Sequence, residues 1–364
     1  MRNHISIGQK KICTRSETMM ISEKDSFWIK PLVPVTVNVI QIHWRTKKMI
    51  NNNEKKTNAL MLNFHGKWHE YKNGAIKVYA GDCKYMFKTI TDNSVSLVIT
   101  SPPYCIGKEY ENQTDDINAF KRTNRWALKE SIRVLKPGGS LCWQVGYHVN
   151  NAHTLPLDII IYNLINDINK KLPVNEQLIL RNRIIWTFGH GFNDTHRLCG
   201  RHEIILWYTK GENYTFNLDE IRIPQKYPGK TFSSGPNKGR ISGNPKGKNP
   251  SDVWDIPNVK ANHIEKTIHP CQFPISIPQR LITALTNIGD IVVDPFLGSG
   301  TTAASAALLN RRFIGAEKVE KYIEVSDDRI VNALLGTLKY RKDKPVMKPD
   351  PNSKVAKKPE SFEW

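Results

Sequence analysis

Apolar and polar residues recur with two different periods along residues 74–335 of this chain. Alternation predicts a strand from Ala75 to Ala80, and a run with few polar residues predicts a buried strand from Ser94 to Ile99. Helical spacing of apolar residues follows from Ile117 to Leu135. The same criteria predict strands at 140–145, 183–186, 203–208, 290–293 and 312–316, and helices at 155–171, from 276, at 303–309 and at 319–335. This succession of strands and helices predicts an α/β fold with a doubly wound sheet.

Three segments lack this patterning and divide the chain. The first 73 residues are basic and are predicted to form a partly disordered arm, and the Lys- and Pro-rich tail is predicted to be disordered. Between them, Tyr227–Pro250 is rich in Gly, Pro, Ser, Lys and Arg, a composition that favours an exposed basic loop. The pattern therefore separates an arm (1–73) and a tail (336–364) from a patterned central region (74–335) that contains the basic loop.

One turn with unusual chemistry, Ser101-Pro102-Pro103-Tyr104, follows the strand that ends near Ile99. Neither proline can donate to a strand ladder and both have a fixed φ, so the strand must stop in a rigid corner. That corner presents a hydroxyl, carbonyl oxygens and an aromatic ring, which suit a flat base with an exocyclic amine. An ordinary proline-rich turn is the alternative interpretation.

A glycine-containing loop, Asp294–Thr302, lies between a predicted strand and a predicted helix. Glycine allows a tight turn and the close approach of a ligand to a helix N-terminus. A further strand ends at Glu317, and an acid about 20 residues after such a loop commonly binds ribose hydroxyls. The pattern predicts a nucleotide-binding strand–helix–strand unit.

Composition adds a class of partner to this picture and excludes several kinds of site. The 364 residues carry a formal net charge of +19, which predicts a polyanionic partner, although a basic protein with Lys-rich tails would also carry it. None of the six cysteines forms a C-x-x-C pair, so neither a metal site nor a disulfide framework is predicted. Reduced thiols and the lack of a membrane-length apolar run favour a cytoplasmic protein.

In this order, Ser-Pro-Pro-Tyr followed by Asp-Pro-Phe-Leu-Gly-Ser-Gly-Thr-Thr resembles the DNA amino-methyltransferases that use S-adenosylmethionine. The catalytic motif comes first and the cofactor loop last, as in the β class of that family, with the target-recognition region between them. The resemblance covers residues 74–335 and implies a Rossmann-like methyltransferase sheet in which residues 187–266 are the recognition region.

The resemblance also assigns roles to individual residues. It implies a catalytic motif of Ser101, Pro102, Pro103 and Tyr104. It implies cofactor-binding positions at Asp82, His269, Pro270, Asp294, Phe296, Gly298, Gly300, Thr301, Thr302 and Glu317. It suggests Trp186 and His190 as residues of a base pocket, whereas the pattern itself favours a core position for Trp186 and a loop position for His190. Asp82 also suits the N-cap of a helix that begins near Lys84.

The implied reaction methylates an exocyclic amine of a base that has been flipped out of double-stranded DNA. The Ser101 hydroxyl and the Pro102 carbonyl would accept hydrogen bonds from the amine, and Tyr104 would stack on the base. A serine at this motif position favours cytosine N4, with adenine N6 as the alternative. Phosphate contacts are predicted for the basic loop at Lys230, Lys238, Arg240, Lys246 and Lys248.

Other functions fit parts of the sequence. The spacing Gly298-x-Gly300-x-x-Ala303 fits a loose dinucleotide fingerprint, so an NAD-dependent oxidoreductase is an alternative that leaves the Ser-Pro-Pro-Tyr motif and the charge unexplained. A DNA-binding protein without catalysis, or an RNA or protein acceptor, also remains open. By resemblance, a homodimer and a cognate restriction endonuclease are expected partners.

Overall fold

A computed structural model describes residues 66–104, 116–150, 153–189, 191, 193–224 and 231–342. The predicted N-terminal arm up to residue 65, the loop at 105–115, His190, Lys230 and the tail from residue 343 lie outside the described residues.

The described residues form one nine-stranded sheet and a separate hairpin. The strands of the sheet are β1 (Lys67–Tyr71), β2 (Ile76–Ala80), β3 (Val95–Thr100), β4 (Leu135–Val145), β7 (Leu178–Thr187), β8 (His202–Lys210), β9 (Val253–Asp255), β10 (Ile291–Asp294) and β11 (Arg312–Glu317). Their spatial order is β1-β2-β11-β10-β3-β4-β8-β7-β9, and β5 (Tyr147–Asn150) pairs with β6 (His153–Pro156) in the hairpin. The five strands from β2 to β4 in that order are parallel, so their carboxyl ends share one edge.

Helices cover both faces of the sheet. They are α1 (Cys83–Phe87), α2 (Ile117–Val134), α3 (Leu157–Asn169), α4 (Leu218–Ile221), α5 (Ser276–Leu285), α6 (Thr301–Leu308) and α7 (Glu320–Leu334). Alternate residues of β3 enter different clusters: Leu97 and Ile99 pack with α5 and α6, whereas Val98 packs with α2 and α3. A central strand that is buried on both faces is typical of a doubly wound sheet, so the predicted fold class is confirmed.

Four local features differ from the sequence predictions. The antiparallel pairing of β1 with β2 starts the sheet before residue 74. Strand β4 begins at Leu135, directly after α2, so the Lys136–Gly139 segment lies inside the strand. Ser276 and Gln279, three residues apart, are typical of a capped helix start, but α5 has Ile275 as its N-cap and no side chain caps it. Strand β9, which pairs with β7, was not predicted because three residues are too few for a pattern.

Among the described helices, the structure contains none that combines the length and apolar character needed to cross a membrane.

Candidate active site

The two loops singled out by the sequence leave the same edge of the sheet from neighbouring strands. Val292 and Val293 of β10 pair in parallel with Leu97 and Val98 of β3. A direct hydrogen bond links the ends of these strands, because Thr100 Oγ1 donates to Asp294 Oδ1 at 2.5 Å. The resemblance to the methyltransferase family implies that these two strands are neighbours, and their parallel pairing confirms this expectation.

The Ser-Pro-Pro-Tyr corner stands at the end of β3. Ser101 and Tyr104 are half-buried and Pro102 is buried. The Ser101 hydroxyl donates to the Tyr104 hydroxyl across 3.4 Å, a long and weak hydrogen bond. Burial, reinforced by the nearby Glu203 carboxyl, raises the pKa of Tyr104 well above its ordinary value, so the phenol is neutral at physiological pH. The corner thus offers neutral hydroxyls at a partly open surface.

Asp294 organises the cofactor loop from inside the protein. It is 1% exposed. Besides Thr100, its oxygens accept from Thr302 Oγ1 at 2.7 Å and from the Phe296 amide at 3.1 Å. Burial raises the pKa of Asp294 to about 6, although these three donors oppose the rise. Both oxygens are committed to internal donors, so the Asp294 and Thr302 side chains hold the loop in shape.

Two glycines of the loop have left-handed backbones that their surroundings require. Gly298 has φ +56° and Gly300 has φ +75°. A Cβ on Gly300 would lie 2.6 Å from Ser326 Cβ on α7, closer than real Cβ atoms approach. A Cβ on Gly298 would lie 3.0 Å from His269 Nε2. The two glycines therefore allow a tight turn, and they also allow the loop to pack closely against α7 and His269.

Arg329 of α7 holds the same loop and was missed by the sequence analysis. It is 5% exposed, and its Nη1 donates to Ser299 O at 2.9 Å and to Thr301 Oγ1 at 2.7 Å. Burial lowers its pKa to about 10. A signal was present, since Arg329 lies three residues after the buried Ser326 and so falls on the inward face of the helix.

Glu317 and His269 both lie against Gly298 of the loop. Glu317 Oε2 accepts from the Gly298 amide and its Oε1 from the Val319 amide, each at 2.8 Å. Burial raises the pKa of Glu317. The buried His269 accepts from the Cys271 amide at Nδ1, and burial lowers its pKa to about 4, so its ring is neutral. The adjacent Pro270 is exposed.

The cofactor implied by the resemblance suits this set of groups. The Glu317 carboxylate accepts from backbone amides that include those of Gly298 and Val319, and its two oxygens together still offer a lone pair to a ribose hydroxyl. Phe296 is half-buried beside Trp143, with ring centroids 6.4 Å apart, and offers an aromatic surface. A nucleoside such as that of S-adenosylmethionine fits these donors, acceptors and apolar walls.

Two predicted positions have structural roles. Asp82 Oδ1 accepts from the Lys84 amide at 2.9 Å and caps α1, as one of its two interpretations held. Trp186 is 3% exposed in the core, and its Nε1 donates to Ile256 O at 2.7 Å. The assignment of Trp186 to a base pocket is therefore corrected: its ring is buried and its polar atom is already bonded.

A polar pair that the sequence analysis missed stands beside Tyr104. Gln144 Nε2 of β4 donates to Glu203 Oε2 of β8. Burial raises the pKa of Glu203 to about 7, while the Gln144 hydrogen bond acts in the opposite direction. Because these residues belong to strands far apart in sequence, only the strand order brings them together.

Part of the inserted region is an exposed basic surface and part belongs to the core. Lys238, Arg240 and Lys248 are exposed, whereas Lys246 Nζ lies 2.6 Å from an Asp219 carboxylate oxygen. In contrast, Trp254 of β9 is 7% exposed within the core.

The chain is similar to known proteins along most of the described residues. A family model for N6/N4 methyltransferases, described as DNA methylase, matches residues 95–328. Type II methyltransferase M.BglII of Bacillus subtilis is 45% identical over 254 residues, which cover 69% of this chain and 67% of that protein. DNA adenine methyltransferase YhdJ of Escherichia coli K12 is 32% identical over 267 residues, covering 71% and 84%. The structure of the cytosine-N4-specific PvuII DNA methyltransferase has a TM-score of 0.53 at 20% identity, covers 71% of this chain and 92% of that one, and supports the fold.

Proposed function

The chain belongs to the N6/N4 family of DNA methylases, which use S-adenosylmethionine, and we propose that it methylates the N4 amine of cytosine in double-stranded DNA. The observation that carries this proposal is the Thr100–Asp294 hydrogen bond, which joins the Ser-Pro-Pro-Tyr corner to the cofactor loop. Donor and acceptor of the methyl group would bind at one edge of the sheet, where the two loops meet.

The residues of the corner would prepare the amine for attack. An exocyclic amine is a weak nucleophile because its lone pair is delocalised into the ring. The Ser101 hydroxyl and the Pro102 carbonyl would accept hydrogen bonds from the two N–H groups of this amine. These hydrogen bonds would favour a pyramidal nitrogen. Tyr104 would stack on the extruded base. When bound, S-adenosylmethionine supplies an electrophilic methyl group.

The cofactor would be held mainly by the far side of the site. Glu317 would bind the ribose hydroxyls, and the Gly298–Gly300 turn would allow the nucleoside to approach the backbone. The neutral ring of His269 and the Phe296 ring would form apolar walls. Asp294, Thr301, Thr302 and Arg329 would act indirectly, because their side chains keep the loop in shape.

Ser101 supports cytosine as the target. A neutral hydroxyl is the residue found before Pro-Pro-Tyr in most family members that modify cytosine, whereas aspartate or asparagine usually accompanies adenine. The alternative is adenine N6, and it is favoured by the 32% identity to an enzyme named as an adenine methyltransferase. Both amines lie beside a ring nitrogen, and a serine can accept from either.

The experiment is digestion of methylated DNA to nucleosides followed by mass spectrometry. The proposal expects N4-methyl-2′-deoxycytidine after incubation of the protein with DNA and S-adenosylmethionine. If N6-methyl-2′-deoxyadenosine is the sole modified nucleoside, the target is adenine and not cytosine. If no modified nucleoside is found, the proposed methyl transfer itself is contradicted. Incubation with NAD in place of S-adenosylmethionine is the control.

We further propose that residues 187–266 recognise the target sequence and that a cognate restriction endonuclease shares it. The exposed cations at 238–248 support contacts to phosphates, which position a protein without reading sequence. Long-read sequencing of DNA from a host that expresses the protein tests this, since modification confined to one short sequence is expected. Size-exclusion chromatography with light scattering measures the mass of the protein in solution and so tests the homodimer that the resemblance implies.

A further inference from the structure

A carboxyl that the proposed reaction does not yet use faces the Ser-Pro-Pro-Tyr corner. Glu203 is the second residue of β8, whose first residues pair with the end of β4 and therefore lie at the edge that carries the site. A Cβ placed on Gly146 would lie 3.5 Å from Glu203 Oε1 and 3.5 Å from Tyr104 Cε2. The carboxyl and the tyrosine ring thus border one common space, which glycine leaves open.

The surroundings of Glu203 are uncharged on the side of the corner. Gln144 of β4 donates its amide to Glu203 Oε2, and Trp186 of β7 pairs with Glu203 in register. The Ser-Pro-Pro-Tyr corner contributes the neutral phenol of Tyr104, and Cys271 also lies near that phenol. Burial is therefore the dominant influence and raises the pKa of Glu203 to about 7.

The two residues that precede Glu203 in the chain make contacts of their own. His202 packs its ring against Tyr147, with ring centroids 6.3 Å apart. Arg201 Nη2 donates to Asn193 Oδ1 at 3.0 Å. Successive side chains of a strand point to opposite faces, so His202 and Glu203 leave β8 in different directions.

We propose that Glu203 is a catalytic residue whose carboxylate takes the proton that the target amine loses during methylation, a role that rests on the proposed function. The amine lone pair forms the new N–C bond while the electrons of the C–S bond stay with the departing sulfur. The nitrogen is then cationic, and it returns to neutrality when the N–H proton that had been donated to the Ser101 hydroxyl leaves that hydrogen bond and passes to Glu203. The protonated carboxyl later releases that proton to solvent, so no further reactant is required.

This role supplies what the serine motif lacks. The Ser101 hydroxyl can accept a hydrogen bond but carries no negative charge to stabilise the cationic nitrogen. A carboxyl that titrates near the working pH is well suited to general base catalysis, since it is partly ionised and still basic. The Gln144 amide stabilises the ionised form by donating to it. A buried carboxyl that only packs against Gln144 is the competing interpretation.

The test is the pH dependence of single-turnover methylation at saturating DNA and cofactor. In the native protein the rate should rise with pH through a midpoint near 7, because only ionised Glu203 accepts a proton. Glu203→Gln preserves shape and should lower the rate at pH 8 by about 100-fold or more and remove that dependence. Glu212→Gln, an exposed carboxyl beyond the other end of β8, is the matched control and should behave as the native protein does.

Two further variants separate catalysis from packing. Glu203→Asp keeps a carboxyl, so it should keep a pH-dependent rate while turning over more slowly. Gln144→Leu removes the donor that stabilises the carboxylate, so the midpoint should move to higher pH. A purely structural Glu203 would give neither result, and an unmoved midpoint in Gln144→Leu would count against the proposal.

A measurement without turnover completes the test. Carbon-13 NMR of the glutamate carboxyls, compared between the native protein and Glu203→Gln, should identify one resonance that titrates near 7. Cofactor affinity and unfolding temperature should be unchanged in Glu203→Gln. A folded Glu203→Gln that methylates at the native rate, or keeps the midpoint near 7, overturns the proton-acceptor role alone. A native protein that methylates no DNA overturns the proposed function.

Discussion

The cofactor loop at 294–302 and the basic segment at 231–250 are both rich in glycine and turns, yet they are built in opposite ways. Every polar side chain of the cofactor loop is buried and bonded within the protein, from Asp294 to Thr302. The basic segment is mostly exposed and is joined by isolated bridges such as Thr231 with Ile241. The 294–302 loop is thus held in one conformation by internal hydrogen bonds, as the binding of a small ligand would require. Contacts of the basic segment to a polyanion would instead depend mainly on its exposed charges.

The largest expected effect concerns the buried carboxyl of the cofactor loop. The pKa of Asp294 is raised to about 6, so the folded protein retains its proton where the unfolded chain, with an ordinary pKa of 3.8, has released it. The contribution of Asp294 to the free energy of unfolding should therefore be full below about pH 4 and decline as pH rises towards 6. The decline should be about 3 kcal/mol.

Asp294→Asn removes this titration and retains the shape. Urea unfolding of both proteins at pH 4, 5, 6 and 7 measures the difference between their free energies of unfolding. The advantage of the native protein should narrow as pH rises, or reverse so that Asp294→Asn is the more stable. A difference that does not depend on pH would show that the pKa of Asp294 is the same in the folded and unfolded states, and so is not raised by burial.

The next effect compares two glycines with similar backbones. Gly300 has φ +75° against α7, and Gly239 has φ +84° in the basic segment with no atom within 4 Å of an added Cβ. Alanine should cost about 1 kcal/mol at Gly239 through backbone strain alone. At Gly300 it should cost about 2 kcal/mol more, because the new methyl group meets Ser326. Thermal unfolding measures both, and equal losses would contradict the difference in packing.

A smaller effect is expected on cofactor binding. Glu317→Gln replaces a carboxylate that accepts from two amides and would bind ribose hydroxyls. Affinity for S-adenosylmethionine should fall by roughly 1.5 kcal/mol, the typical value of a hydrogen bond to a charged group. Isothermal calorimetry measures it, with Glu320→Gln at the start of α7 as the control. Unchanged affinity in a folded variant would remove Glu317 from the cofactor site.

The smallest effect on stability is expected in the basic segment. Lys238→Ala, Arg240→Ala and Lys248→Ala together should change the free energy of unfolding by less than about 0.5 kcal/mol each. They should flatten the slope of log affinity for DNA against log salt by about 0.9 for each phosphate that the native side chains neutralise. Lys246→Ala is the internal comparison, since Lys246 is paired with Asp219. An unchanged slope would place the phosphate-binding residues elsewhere.

The sequence predicted the features that depend on local pattern. The bounds of α2 and α7 followed closely from periodicity, whereas the pairing of β3 with β10 was implied by the resemblance to the methyltransferase family. Glu203 and Gln144 could be assigned to strands but not to each other, because their contact depends on β8 lying beside β4. Arg329 was overlooked because a charged residue on a helix is usually exposed, whereas this one is buried under a loop.

The hydrogen bond between Thr100 and Asp294 spans 194 positions of the chain. Strand β2 likewise pairs with β11, so β2 and β3 each lack one of their two neighbours until β11 and β10, respectively, have been synthesised. Pairings of such sequence separation slow folding, since a long loop must close before they form. The Ser-Pro-Pro-Tyr corner and the 294–302 loop therefore come together late in synthesis, and a nascent chain on the ribosome exposes one edge of β3 until β10 has been made.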